Sequence, residues 1–348
     1  MSLPRNIKGV LLTSAEMVGA AIVLGVAQKA VKYGFGAVLF SIGFSLSILF
    51  ALFAYEFIYR RCDSFLVPEV VSKTFGLPVK RIISFFLISV YVGIMAVEMS
   101  AATSVISSLF SLVKPTALLV SVIFAIFSIF GGFNWISRWN SVFGSLMFAL
   151  LFVCMFKVLQ LRGLRDIGFH FSLPPYRELL MWLFLNPVSF MCSQPLVQTI
   201  AWMERENMNV VFVSILSILY VTLVGLIVSF VTLVPGVFDG QAVLFLALKK
   251  IWPPLAYVGG FLVLFAVFTT VPPIVAAVST LINDLMYKPV EEEASSSVKR
   301  WGVPVVILSM LLSLKVVYIT NALSYSLLPR ALISLLLVVV SFRRLSRS

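Results

Sequence analysis

The sequence predicts an all-α integral membrane protein of about ten transmembrane helices in a five-plus-five inverted repeat, and three observations carry that expectation. Hydrophobic residues make up 61% of the chain and charged residues 11%, with a mean hydropathy of +1.08. No water-soluble core needs that much apolar surface. Stretches long enough to cross a hydrocarbon layer of roughly 30 Å follow one another at about 9–28, 36–58, 82–111, 116–134, 140–157, 179–202, 210–234, 252–287, 302–319 and 326–342. The first is interrupted by Glu16 and the Gly19-Ala20-Ala21 step, and the sixth by Asn186-Pro187-Val188-Ser189 and Ser193-Gln194-Pro195. Paired interruptions in corresponding spans of two halves point to an internal repeat around a midplane site.

Taken in order, span one has a rival reading as a secretory leader, because Arg5 and Lys8 precede an apolar run. Glu16 inside that run argues against it, as do Lys29 and Lys32 following without a small-residue cleavage site. Spans three and eight are long enough to tilt. Connections are short, so the chain reads as one transmembrane domain over 1–348, with repeat one at about 7–157 and repeat two at about 179–342. The segments 158–178 and 235–251 carry Pro, Gly and charge and read as surface connections that can hold short helices, and 291–297 (Glu-Glu-Glu-Ala-Ser-Ser-Ser) as a mobile solvated loop.

The net charge of +12 comes from basic residues scattered between spans rather than gathered in a stripe, so a lipid bilayer and not nucleic acid is the expected partner. With the N-terminus in the cytoplasm, the inner segments receive Arg60, Arg61, Lys73, Lys80 and Arg81 in the first inner loop and Arg343, Arg344 and Arg347 in the tail. That bias places both termini in the cytoplasm of a multi-pass protein of the cell (inner) membrane. Cys62, Cys154 and Cys192 form no CxxC pair, and His170 is the single histidine, which leaves a disulfide framework and a metal cluster unsupported. No cofactor and no oligomeric state can be read from the sequence.

The interruptions supply the candidate binding residues. Around the first lie Gly19, Ala20 and Ala21, and around the sixth Asn186, Ser189, Phe190, Ser193 and Gln194. Pro187 and Pro195 each remove a backbone donor and free carbonyls near the bilayer centre, where they face either a ligand or simply a kink. Glu16 and Glu98 are acids at membrane depth and therefore functional candidates by default. Glu98, in mid span three, suits proton exchange, a substrate ammonium, or a structural hydrogen bond. Glu56 beside Arg60 reads as an interfacial pair, and Asp284 as the partner of a cytoplasmic base.

These residues resemble the leucine-transporter (LeuT) fold of the amino acid–polyamine–organocation superfamily. Met17-Val18-Gly19-Ala20-Ala21 followed by Gly34-Phe35-Gly36-Ala37 is similar to that fold's unwound first helix and its Gly-rich turn. Ala276, Ser279 and Thr280 stand at i, i+3 and i+4 on one helical face. The resemblance implies that they hold a sodium ion together with the carbonyls of Ala15 and Val18. Gly131-Gly132-Phe133-Asn134-Trp135 and Ser193-Gln194-Pro195-Leu196-Val197-Gln198 resemble the sodium:solute symporter branch, although Thr199 stands where an arginine usually follows. In size the chain is most similar to the YkvI-type bacterial family. The implied function is secondary transport of a small solute, such as an amino acid, by alternating access and sodium symport, with sodium as coupling ion and Glu16 and Glu98 as coupling acids.

Hard-cation chemistry agrees, since helix-break carbonyls and two hydroxyls offer neutral oxygens. Proton coupling remains an alternative, although Gly144 to Leu151 contains no lysine of the kind that replaces the ion in some relatives. A nutrient-sensing receptor of the spore-germinant type is the other. An enzyme is not expected, because neither paired membrane aspartates nor a GxSxG motif occurs.

Overall fold

A computed structural model describes residues 5–130, 132–162, 170–233, 243–286, 294–314 and 319–345. Among these the regular elements are helices, and the one extended pairing is an isolated bridge between Gly34 and Phe171. In chain order they are α1 (Arg5–Met17), α2 (Ala20–Tyr33), α3 (Val38–Ala54), α4 (Val67–Phe75), α5 (Leu77–Phe110), α6 (Lys114–Ile129), α7 (Gly132–Arg162), α8 (Tyr176–Leu180), α9 (Asn186–Ser189), α10 (Gln194–Arg205), α11 (Val210–Thr232), α12 (Val243–Ile251), α13 (Pro253–Met286), α14 (Ala294–Ser313) and α15 (Ile319–Leu345). A π-helical turn, Tyr55–Tyr59, prolongs α3, and another, Met181–Leu185, joins α8 to α9.

Each of the ten apolar stretches coincides with a helix or a broken pair. Five helices are long and apolar enough to cross a membrane, and seven spans result if each bent pair counts as one. The two bent pairs are α1 with α2, turned by 59°, and the Tyr176–Cys192 segment with α10, turned by 63°. The interruptions in spans one and six are therefore real changes of direction, and the chain is a multi-pass membrane protein.

One expectation about connections needs correction. Ala294 to Ser297, read as mobile loop, begin α14, because Ser is tolerated in a first turn. The segment 235–251 does hold a short helix, α12, whereas 235–242, Gly131 and 291–293 lie outside the described residues.

α13 is the core element, with 89% of its apolar segment buried against 28% for α7. It packs on α5, α7, α12 and α14. Its register against α5 is antiparallel and fixed at two levels. Lys80 Nζ of α5 bonds Asp284 Oδ1 of α13 at 2.7 Å, and a Cβ on Gly260 of α13 would strike Leu109 of α5. Asp284 thus finds a basic partner. Glu56 likewise pairs with Arg60 at 2.7 Å, and Arg60 also meets Glu204.

The turn between α2 and α3 explains Gly34. Its φ of +59° favours glycine, and a Cβ there would run into the His170 carbonyl. The close approach is used: Phe35 N donates to His170 O at 3.0 Å and Ser172 N to Tyr33 O at 3.1 Å. His170 serves here through its backbone.

Candidate functional site

The first break forms because α13 takes over an acceptor that α1 would need. In a continuous helix Gly19 N would donate to Ala15 O. Instead Thr270 Oγ1 donates to Ala15 O at 2.6 Å. Val18 N still reaches Ser14 O, at 2.7 Å, and the chain then turns extended at Gly19 (φ −83°, ψ −178°). Any residue can adopt those angles, so glycine is needed for space. A Cβ would sit 2.6 Å from Glu98 Oε1 and 3.0 Å from Thr270 Oγ1.

Restarting the helix leaves N–H groups without intrahelical partners. Ala20 N donates to Glu98 Oε2 at 2.9 Å. A carboxylate at a helix N-terminus is favoured by both hydrogen bond and dipole. Glu98 is 1% exposed. The mid-span acid read from the sequence is therefore at the site, as the cap of α2.

The second break is built the same way. After the 3-10 turn Phe190–Cys192, Ser193 is extended and α10 restarts with Pro195 in its first turn, where a missing N–H costs nothing. Gln194 N donates to Tyr91 Oη at 2.9 Å, and Tyr91 Oη lies 3.3 Å from Cys192 O. Tyr59 Oη donates to Met191 O at 3.0 Å. Beside Pro195, where a ligand or a kink was open, the carbonyls of Met191 and Cys192 thus accept from tyrosine hydroxyls.

A cavity of about 260 Å³ lies between the two breaks. Of the residues anticipated for a solute, Gly19, Glu98, Asn186, Phe190 and Ser193 line it, as does Glu16. Glu16 receives a hydrogen bond from Thr199, and its Oε2 is buried without a partner. Asn186 is 3% exposed, and neither side-chain amide atom has a partner among the described residues.

Other expected residues point elsewhere. Gln194 Oε1 accepts from Val67 N at 2.9 Å and its Nε2 donates to Phe65 O at 2.8 Å, so it anchors the chain entering α4. Ser189 Oγ donates to Asn186 O of its own helix. Ala20 contributes its backbone N–H, and the Ala21 side chain lies outside the described residues.

The expected cation ligands divide. Ala15 and Val18 are at the break and buried. Thr280 Oγ1 donates back to Ala276 O at 2.9 Å, and Ser279 Oγ is buried without a partner. Ser279 is nine residues beyond Thr270, about 13 Å along a helix, whereas Thr270 bonds Ala15. The same i, i+3, i+4 pattern occurs ten residues earlier as Ala266, Thr269 and Thr270. Thr269 Oγ1 lies 3.0 Å from Ala266 O and 2.9 Å from Phe265 O. Of these oxygens Thr270 Oγ1 reaches the break, at Ala15 O, and Ala266, Thr269 and Thr270 are all buried.

Arg330 of α15, missed in the sequence, also lines the cavity. It is 3% exposed, and its guanidinium carbon lies 4.7 Å from the centre of the Phe190 ring. Its signal was faint: one charge in span ten beside Pro329. At the α8 end of the cavity Lys29 Nζ pairs with Glu178 at 2.8 Å, Tyr33 Oη donates to Glu178 at 2.8 Å, and Lys29 stands 5.1 Å from the Trp182 ring centre.

Two solved structures superpose on nearly the whole chain. A Na+-coupled sialic acid symporter in a substrate-bound outward-open state matches with a TM-score of 0.68 at 13% identity, over 89% of this chain and 72% of that one. MhsT in complex with L-phenylalanine matches with a TM-score of 0.67 at 16% identity, over 95% of this chain and 87% of that one. The chain has the LeuT fold. Residues 6–173 also match the model of the sodium:solute symporter family. No curated protein matches it in sequence.

Proposed function

We propose that this LeuT-fold chain is a sodium-coupled symporter that binds a small organic solute between its two broken helices and exposes that site alternately to either side of the membrane. The observation that carries the reading is the contact of Thr270 with the Ala15 carbonyl, which gathers helix-break and α13 oxygens at the edge of a cavity large enough for an amino-acid-sized molecule. In this reading the ion is held by the carbonyls of Ala15, Val18 and Ala266 and the hydroxyls of Thr269 and Thr270. Five neutral oxygens suit a hard monovalent cation. The Thr270 proton turns away when its oxygen becomes a ligand.

The solute occupies the space bounded by Gly19, Asn186, Phe190 and Ser193. The ten-span count, the repeat boundaries and cytoplasmic termini belong to the same reading. Support comes from the match over 6–173 and from the shared fold with two transporters, one Na+-coupled.

Purified protein in proteoliposomes tests it. An inward sodium gradient is expected to drive accumulation of at least one small solute, and the same solute without sodium is expected to equilibrate slowly or not at all. Solute binding with no accumulation under any ion gradient would instead identify a receptor.

A further inference from the structure

Building on the transporter reading, we infer that Arg330 recognises an anionic group of the solute, a carboxylate being the simplest, and that the helix N-termini at the two breaks do not. The first N–H of each restarted helix is already bonded from within. Glu98 caps α2 through Ala20 N at 2.9 Å, and Tyr91 accepts from Gln194 N at 2.9 Å at the start of α10. A solute carboxylate placed at α2 would also meet the Glu98 carboxylate, 2.6 Å from the position of a Cβ on Gly19. Two carboxylates in that space repel. The break that attracts anions in principle is thus negatively occupied.

Positive charge on the cavity wall comes from Lys29 and Arg330 among the described lining residues. Lys29 is committed to Glu178 at 2.8 Å. Arg330 differs in geometry. The Phe190 ring covers it 4.7 Å away, and its backbone carbonyl accepts from Cys192 Sγ at 3.2 Å, which ties α15 to the second break. A guanidinium carries five N–H donors in a planar fork, more than one acceptor can occupy. A carboxylate matches that fork with two parallel bonds. The cavity then has an anion-binding end at Arg330 and an acidic end at Glu16 and Glu98. Solutes with a carboxylate, and zwitterions with an amine oriented toward the acids, fit this polarity.

The test uses matched acid and amide probes on the full-length protein in detergent: L-phenylalanine against L-phenylalaninamide, benzoate against benzamide, and pyruvate against pyruvamide, with ligand-induced thermal stabilisation as readout. At least one acid is expected to bind more tightly than its amide. Arg330→Gln is expected to weaken the acid by about 10- to 100-fold, the effect of losing a charge-assisted pair, while the amide is unchanged. Arg330→Lys, which keeps the charge and removes the fork, guards against a folding defect and is expected to fall between. Equal binding of acid and amide, an acid preference that survives in both variants, or no stabilisation by any of the three acids would overturn the assignment. Sodium-driven uptake of amines or neutral solutes only would overturn it and leave the transporter reading intact. Arg330-dependent acid binding without sodium-driven uptake would do the opposite.

Discussion

Tyr91 and Glu98 stand seven residues apart on α5, two turns along one face, and each receives the first free N–H of a different broken helix: Gln194 N for Tyr91 and Ala20 N for Glu98, both at 2.9 Å. A single helix therefore holds both breaks open. The remaining predictions follow from that arrangement and from the α5–α13 register.

Tyr91→Phe should lower thermal stability more than Tyr59→Phe. Removing the Tyr91 hydroxyl leaves both a buried N–H and a buried carbonyl without partner, whereas Tyr59 serves only the Met191 carbonyl. About 1–3 kcal/mol is expected for each orphaned group. Comparable melting curves for the two variants would show that Tyr91 is not what holds the α10 restart.

Thr270→Val and Thr269→Val keep side-chain shape and remove an oxygen. Both should lose the stabilisation by sodium chloride over choline chloride, and Ser279→Ala should keep it. The reverse pattern would move the ion about 13 Å along α13.

Gly19→Ala should abolish solute binding, because its Cβ meets the Glu98 carboxylate at 2.6 Å. Adding Glu98→Ala relieves the clash but removes the α2 cap, so it should recover expression without recovering binding or full thermal stability. A Gly19→Ala protein that binds any transported solute as the parent does would remove this gap from the solute's path.

The Lys80–Asp284 pair is buried and 2.7 Å apart. Lys80→Met or Asp284→Leu alone should cost about 3–5 kcal/mol, and the double substitution much less, because an unpaired buried charge is the main penalty. A double-mutant cycle in detergent measures the coupling; additive losses would mean that the two ends of α5 and α13 are held by apolar packing alone.

The outline was legible because bilayer length is a hard constraint: every apolar stretch coincides with a helix or a broken pair. Both interruptions were legible as well: Pro195 marks a first helical turn, and Gly19 a place with no room for a side chain. The depth of the cation ligands was not. α13 carries two triads with the same helical spacing, Ala266-Thr269-Thr270 and Ala276-Ser279-Thr280, and periodicity assigns a face but no level. Only contacts between distant segments, such as Thr270 on Ala15, give a level, and the proposed site rests on that contact. Gln194 looked like a solute ligand and proved to hold the α4 entry, and Arg330 was overlooked because a single charge in a late span announces nothing about the cavity it enters.

The backbone bonds that join Tyr33 and Phe35 to His170 and Ser172 make the end of α2 and the approach to α8 one lever arm. Lys29 and Tyr33, both bonded to Glu178, brace it from the side. Bending is left to the two unwound points, Gly19 and Ser193, which carry no such bracing across their own helices. If the arm swings, both broken spans swing on that side at once, so a solute leaving past Trp182 would meet one door and not two leaves that open separately.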